Sequence, residues 1–200
     1  MNVQEIMNSN DFKQCVSFHG HVCPGVSIGY KAAKAGMAWL KENRSEDEEI
    51  IAIVETNACS ADAVQVLTGC TFGKGNFIHK DYGKMVLTLL SRNSGKGVRV
   101  AVKAGTSGLA PEHMELIRKM IDGKLTDTEQ EQFQELHLQK SMSILETPDQ
   151  ELFTIRETSM ELPQKARIEP SEPCSRCKEP VMKSKLKDVD GQMVCQDCCN

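Results

Sequence analysis

Residues 17–25 read SFHGHVCPG, placing His19, His21 and Cys23 directly before Pro24 and Gly25. Imidazole nitrogen and thiolate sulfur are the donors that hold zinc and other borderline transition metals. In an extended stretch, alternation at period two turns all three side chains to one face, and the proline after Cys23 favours that backbone. Pro24 suits the first position of a helix, which puts Cys23 at or beside the helix N-cap. There, unpaired N–H groups and the helix dipole lower a thiol's pKa, so Cys23 is expected to be a standing thiolate. One histidine or one cysteine alone reads as a surface group or a small buried hydrophobe. The three together, before a helix start, read as a metal or thiol site.

A second cysteine, Cys59, sits where the apolar β-branched run IIAIVET gives way to the helical pattern of ACSADAVQVLTG. It is the natural fourth member of the site, with Asp62 one helical turn on and Gln65 one more. A carboxylate and an amide there can orient a ligand histidine or hold substrate. The core ligands expected are His19, His21, Cys23 and Cys59 around zinc or another transition metal. Candidate catalytic residues are Cys23, Cys59, Asp62, Gln65 and Lys74. Lys74 lies in GCTFGKGN, which fails the phosphate-loop pattern because three residues, not four, separate Gly69 from Gly73-Lys74. The glycines there permit close backbone approach to a ligand, and the lysine offers a charge.

The tail carries a different pattern. Cys174-x-x-Cys177 and Cys195-x-x-Cys198 are separated by seventeen residues, the spacing of a tetrahedral four-thiolate zinc site. Four thiolates leave the ion no open position, so a structural role is expected, with a hairpin at Asp190-Gly191 bringing the pairs together. Cys199 follows directly, but the spacing favours Cys198.

The elements that must position these groups follow from the hydrophobic pattern. Residues 27–42 form an Ala-rich helix, and IIAIVET a buried strand. GNFIHKDYG, KMVLTLLSR, GVRVAVKAG and LFTIRET read as further strands. PEHMELIRKMI and residues 126–146 read as helices, the latter opened by a Thr/Asp cap. The fold class expected is α+β, a mixed or antiparallel sheet packed with helices, plus a small zinc ribbon-like domain. The boundaries read 1–164 for the core, 165–173 for a Pro- and charge-rich linker and 174–200 for the zinc finger.

Of the 200 residues, nine are cysteine, and the net charge is −4 with no dominant basic stretch, so nucleic-acid binding is not expected. The N-terminus lacks a secretory pattern, and no run approaches the ~18 apolar residues of a membrane span. A cytoplasmic location is expected, where cysteines serve as ligands or reactive thiols rather than disulfides.

FHGHVCPGVSIGYKA, then ETNACSADAVQVLTGCTFGKGN, then KDYGK together resemble the FmdE family of formylmethanofuran dehydrogenase-associated proteins, and the tail is similar to DksA/TraR-like zinc fingers. The resemblance implies a dimeric α+β core with a metal- and cysteine-bearing site. It covers His19, His21, Cys23, Cys59, Asp62 and Gln65, with Gly69, Cys70, Thr71, Gly73, Lys74, Asp81 and Lys84 as further matching positions. It implies a role in one-carbon (formyl) or molybdopterin-linked metabolism, as an accessory subunit of a formylmethanofuran dehydrogenase-type oxidoreductase or as an enzyme. Partners would be redox enzyme subunits or a small-molecule substrate. The chain lacks the cysteine motifs for iron–sulfur centres and so would not be the catalytic subunit of such an enzyme. The alternative is a metal-sensing or metal-carrying regulatory protein whose zinc finger contacts a partner.

Overall fold

The chain IIAIV at Ile50–Val54 is buried at every position, which makes it the strand β1 around which the first unit is built. In the computed structural model, which describes residues 2–199, β1 pairs antiparallel with β3 (Val86–Ser91) and parallel with the short β2 (Phe77–His79). β4 (Gly97–Val102) and β5 (Phe153–Thr158) continue the antiparallel pairing, giving the order β2-β1-β3-β4-β5. The fold is therefore α+β with a mixed sheet. The strand expected over 75–83 shrinks to three residues. The N–H groups of Tyr82 and Lys84 both turn back to Glu55 O instead of continuing a ladder.

Helix α3 (Pro24–Leu40) lies on one face of this sheet, packing Ile28, Ala32, Ala33 and Leu40 with Leu89, Val98 and Val100. The N-terminal residues, for which the sequence pattern suggested no element, form α1 (Val3–Asn8) and α2 (Asn10–His19). Asn2 and Glu5 make a capping box for α1, and Ser9 caps α2. α4 (Ser60–Thr68) crosses α3 at Gly29, where a Cβ would lie 2.2 Å from the Ser60 carbonyl oxygen. Gly29→Ala is accordingly expected to cost about 1–3 kcal/mol or more, read as a lower denaturant midpoint. Gly73→Ala, with nothing within 4 Å of the added carbon, should leave it in place.

α5 (Pro111–Ile121) and α6 (Asp127–Glu146) form a helical hairpin, α6 opening on a Thr126/Glu129 capping box. A short α7 (Asp149–Leu152) then leads into β5.

The chain divides into two compact units, residues 1–165 and 166–200. In the second, β6 (Ser171–Pro173) pairs with β7 (Pro180–Met182) and β8 (Lys187–Val189) with β9 (Gln192–Val194). Part of the segment read as linker thus forms β6. The β8–β9 turn is Asp190-Gly191, at φ 52 and 78, the pair of positive angles a tight hairpin needs. No helix among the described residues is long and apolar enough to cross a membrane.

Candidate metal centre

Three peptide features converge to build the core site. α2 does not stop before the His-x-His-x-Cys stretch but runs to His19, its last residue. Gly20 then reverses the chain at φ 103, a conformation that glycine adopts without penalty. Cys23 follows in extended conformation as the N-cap of α3, accepting the Val26 N–H at 3.3 Å. The single extended face expected from the alternation is therefore not the geometry. The donors meet because a helix end, a left-handed glycine and a helix start are placed in succession, and ligand atoms of His19, His21 and Cys23 all lie within 4.8 Å of one another.

Asp62, in the first turn of α4, fixes the orientation of His19. Its Oδ2 lies 2.7 Å from His19 Nδ1, so Nδ1 carries the proton and Nε2 is left as a lone pair. That Nε2 lies 3.7 Å from Cys23 Sγ. Cys59, the exposed N-cap of α4, uses its thiol for no cap bond. It packs on α3 through Gly25, where a Cβ would come 2.8 Å from Cys59 Cβ. Cys59 is thus beside Cys23 but outside the tight three-residue group.

The standing thiolate expected at Cys23 is corrected by its surroundings. Burial pushes the thiol up to about 11; the Val26 N–H opposes this, and the neighbouring Cys59 thiol adds to it. Without a cation the thiol is protonated, so a helix N-cap alone does not offset its desolvation. The donor set nevertheless fits a metal ion. One histidine is held in the ligating tautomer, a second lies beside it with ring centroids 4.6 Å apart, and the Cys23 sulfur lies 3.7 Å from the ligating nitrogen of the first.

Two expected members point elsewhere. Gln65 Oε1 accepts the Phe72 N–H at 3.3 Å, and Lys74 Nζ donates to the carbonyls of Ser45 and Glu46 at 3.3 and 3.1 Å. Both hold the Gly-rich turn in place. Buried Asn76 anchors the same turn, donating to Asp47 O and Ile50 O and accepting from Thr71 N, all at 2.9 Å. Cys70 is buried, donates to Ile50 O at 3.3 Å, and has its thiol pushed up by burial, a core role. Asp81 and Lys84 are exposed on the β2–β3 connection, Lys84 Nζ lying 6.0 Å from the Tyr82 ring centroid.

In the tail, ligand atoms of Cys174, Cys177, Cys195 and Cys198 lie within 4.8 Å of one another. The Cys195 N–H donates to Cys174 Sγ at 3.3 Å, the leading cause of a thiol lowered to about 6. The other thiols push Cys198 up to about 12, led by Cys195. The Cys174 thiolate forms readily while the Cys177 and Cys198 thiols resist, a conflict that a cation removes. Cys199 lies outside the four and donates to Cys195 O at 3.2 Å.

The sequence pattern gave no sign of one further cluster. His113 on α5, 2% exposed, and His137 on α6 meet at 2.9 Å, with Phe133 against both rings. No motif spans residues so far apart; only helical phasing within α5 and α6 could have paired them.

An α+β unit with a His/His/Cys cluster backed by a carboxylate, followed by a four-cysteine unit, defines a candidate metalloprotein. The chain belongs to the FmdE family: residues 18–154 match the family described as FmdE, molybdenum formylmethanofuran dehydrogenase operon. The crystal structure of a tungsten formylmethanofuran dehydrogenase FmdE-like protein from Syntrophus aciditrophicus is 25% identical, with a TM-score of 0.61, covering 99% of this chain and 92% of that one. A protein of Archaeoglobus fulgidus named probable S-adenosyl-L-methionine-binding protein is 35% identical over 180 residues, 86% of this chain and 48% of that protein. The chain thus spans about half the length of this curated relative.

Proposed function

We propose that the core unit is a zinc-type metalloenzyme domain, or accessory subunit, acting on a small one-carbon (formyl) substrate linked to molybdopterin-dependent metabolism. The observation that carries it is the group of His19, His21 and Cys23 donors within 4.8 Å, with His19 held in its ligating tautomer by Asp62. In this reading His19, His21 and Cys23 hold the ion, and exposed Cys59 closes the fourth position until substrate takes it. The ion would serve as a Lewis acid on the substrate oxygen. Cys174, Cys177, Cys195 and Cys198 would hold a second, closed zinc. The protein would work in the cytoplasm as a homodimer, or against the subunits of a redox enzyme.

Metal analysis of the purified full chain tests this. Two ions per chain are expected, falling to one in Cys23→Ser/Cys59→Ser and to one in Cys174→Ser/Cys177→Ser. A single ion, unchanged by the first pair of substitutions, refutes the core centre.

A second reading follows the Archaeoglobus relative's name. An open cleft of about 910 Å³, lined by Ser17, Phe18, Arg44, Gln65 and Thr71 among others, begins one turn from His19. Its size suits a nucleoside-sized ligand. Equilibrium dialysis with labelled S-adenosylmethionine decides it, since absence of saturable binding removes the reading.

A further inference from the structure

Helix α2 buries Phe12 and Cys15 and leaves Gln14, Ser17 and Phe18 exposed, spaced as one helical face. α4 lies beside it: His19 meets Asp62 at 2.7 Å, and one turn earlier Cys15 Sγ lies 4.0 Å from Ala63 O. The open cleft of about 910 Å³ takes Gln14, Ser17 and Phe18 from α2 and Gln65 and Val66 from α4. It adjoins the core donors, since Phe18 precedes His19 and Gln65 lies one turn past Asp62.

Among the described residues that line this cleft, Arg44 is the one charged side chain. It is held in place from two sides. Its Nε donates to Val66 O at 2.8 Å near the end of α4, and its stem lies against Gly69, where a Cβ would come 3.1 Å from Arg44 Cγ. That same Cβ would stand 2.3 Å from Ser45 O, at φ 72, so glycine is what lets residues 44 and 45 seat on the helix end. With Nε engaged, the remaining guanidinium N–H groups make no hydrogen bond to the described residues. They form a pre-positioned planar donor end of the kind that binds anions.

The rest of the cleft matches that charge. In a chain of net charge −4, no carboxylate lines it. Asp11 and Glu42 line the adjoining cleft of about 500 Å³, but Lys34 holds Asp11 at 2.7 Å and Ser91 donates to Glu42. Neither is a free counter-ion for a cationic ligand. The neutral groups are able to donate: Thr71 Oγ1 accepts the Lys74 N–H and keeps its own proton, and Gln65 spends its oxygen on Phe72 N–H and keeps its amide N–H groups. Several donors around a fixed guanidinium, with no acid, suit a group with several acceptor oxygens. Two aromatic rings stand at the same place in water. Phe18 is 60% exposed and Phe72, next to Thr71, 86%, whereas Phe12 and Phe153 are buried in the core. The fold makes no use of the first two rings, and an exposed ring face takes a planar ligand by stacking.

We propose that this cleft binds a phosphate ester of a planar heteroaromatic compound, a nucleotide-like anion, with the phosphate on Arg44 and the ring against Phe18. The inference shares its cleft with the second reading above but differs in the ligand's charge. S-adenosylmethionine carries an ammonium and a sulfonium that find no acid here, so an anionic nucleotide should bind more tightly.

Calorimetric titration of the full chain with AMP, adenosine and S-adenosylmethionine tests this. AMP should bind saturably and at least about tenfold more tightly than adenosine, the worth of a charge-assisted contact. That comparison uses the unmutated chain, so no folding defect enters it. Arg44→Gln should weaken AMP about tenfold and leave adenosine unchanged, while Phe18→Ala should weaken both by about fivefold. Lys13→Gln, a cation on α2 outside the cleft, should change neither. AMP bound no better than adenosine, or an Arg44→Gln variant that weakens both equally, overturns this inference. Tighter binding of S-adenosylmethionine than of AMP also overturns it and leaves the second reading standing. Saturable AMP with no uptake of S-adenosylmethionine supports this inference and removes that reading. A chain that binds none of the three overturns both.

Discussion

Removing metal from the four-cysteine unit is expected to unfold residues 166–199 while the sheet unit keeps its structure. Among the described residues of that unit, the buried apolar side chains are Cys174, Leu186 and Val194. Two aliphatic side chains contribute only about 3–6 kcal/mol, and its strands are three residues long. Binding of a four-thiolate zinc supplies about 10–16 kcal/mol in comparable small sites, so the ion decides whether the unit folds. Chelator titration followed by backbone NMR or limited proteolysis reads the outcome. Cys198→Ser should reproduce the effect of the chelator, whereas Cys199→Ser should not, because Cys199 lies outside the four converging thiols. Amide protection over 166–199 that survives complete metal removal would falsify the account.

The tail was the most legible part of the sequence because ligand spacing alone dictates its geometry. Two Cys-x-x-Cys turns and a DG hairpin leave few ways to close, and Asp190 and Gly191 take the positive angles which that pattern requires. The sheet was nearly as legible. Continuous apolar runs such as IIAIV fix β1, and the Thr126/Glu129 capping box fixes where α6 starts.

The core site was legible in its residue types but not in its conformation. Alternation suggested an extended His19/His21/Cys23 face. What period two cannot reveal is that α2, closed by Phe12 and Cys15 packing into the core, carries through to His19 before Gly20 turns the chain. Gln65 and Lys74 illustrate a different limit. Both are polar residues in the right neighbourhood, yet unpaired backbone groups of the 69–76 turn and the Ser45–Glu46 segment claim their side chains. Sequence offers no way to see which backbone atoms lack partners. Asp62 escaped that fate because the first turn of a helix leaves its carboxylate free to reach His19.

Cys23 does two jobs, and the two can be separated. Its sulfur caps α3 through the Val26 N–H and offers a ligand atom to the core cluster. Serine is a better cap acceptor than a protonated thiol and is smaller, so Cys23→Ser should leave the stability of the metal-free chain unchanged or slightly raised. Cys23→Ala removes the cap as well and should cost about 1 kcal/mol, seen as a lower midpoint in denaturant. Both substitutions remove the only sulfur in the tight donor group. The loss in core metal affinity should therefore exceed the roughly 10- to 100-fold that follows loss of an outer partner such as Asp62. Competition with a chromophoric chelator, run on chains whose tail ion is accounted for, measures it. The pattern expected is stability that separates serine from alanine and metal affinity that does not. Equal metal affinity in the Cys23→Ser and unmutated chains would show that Cys23 is a cap alone, its thiol kept protonated by burial and no part of a metal centre.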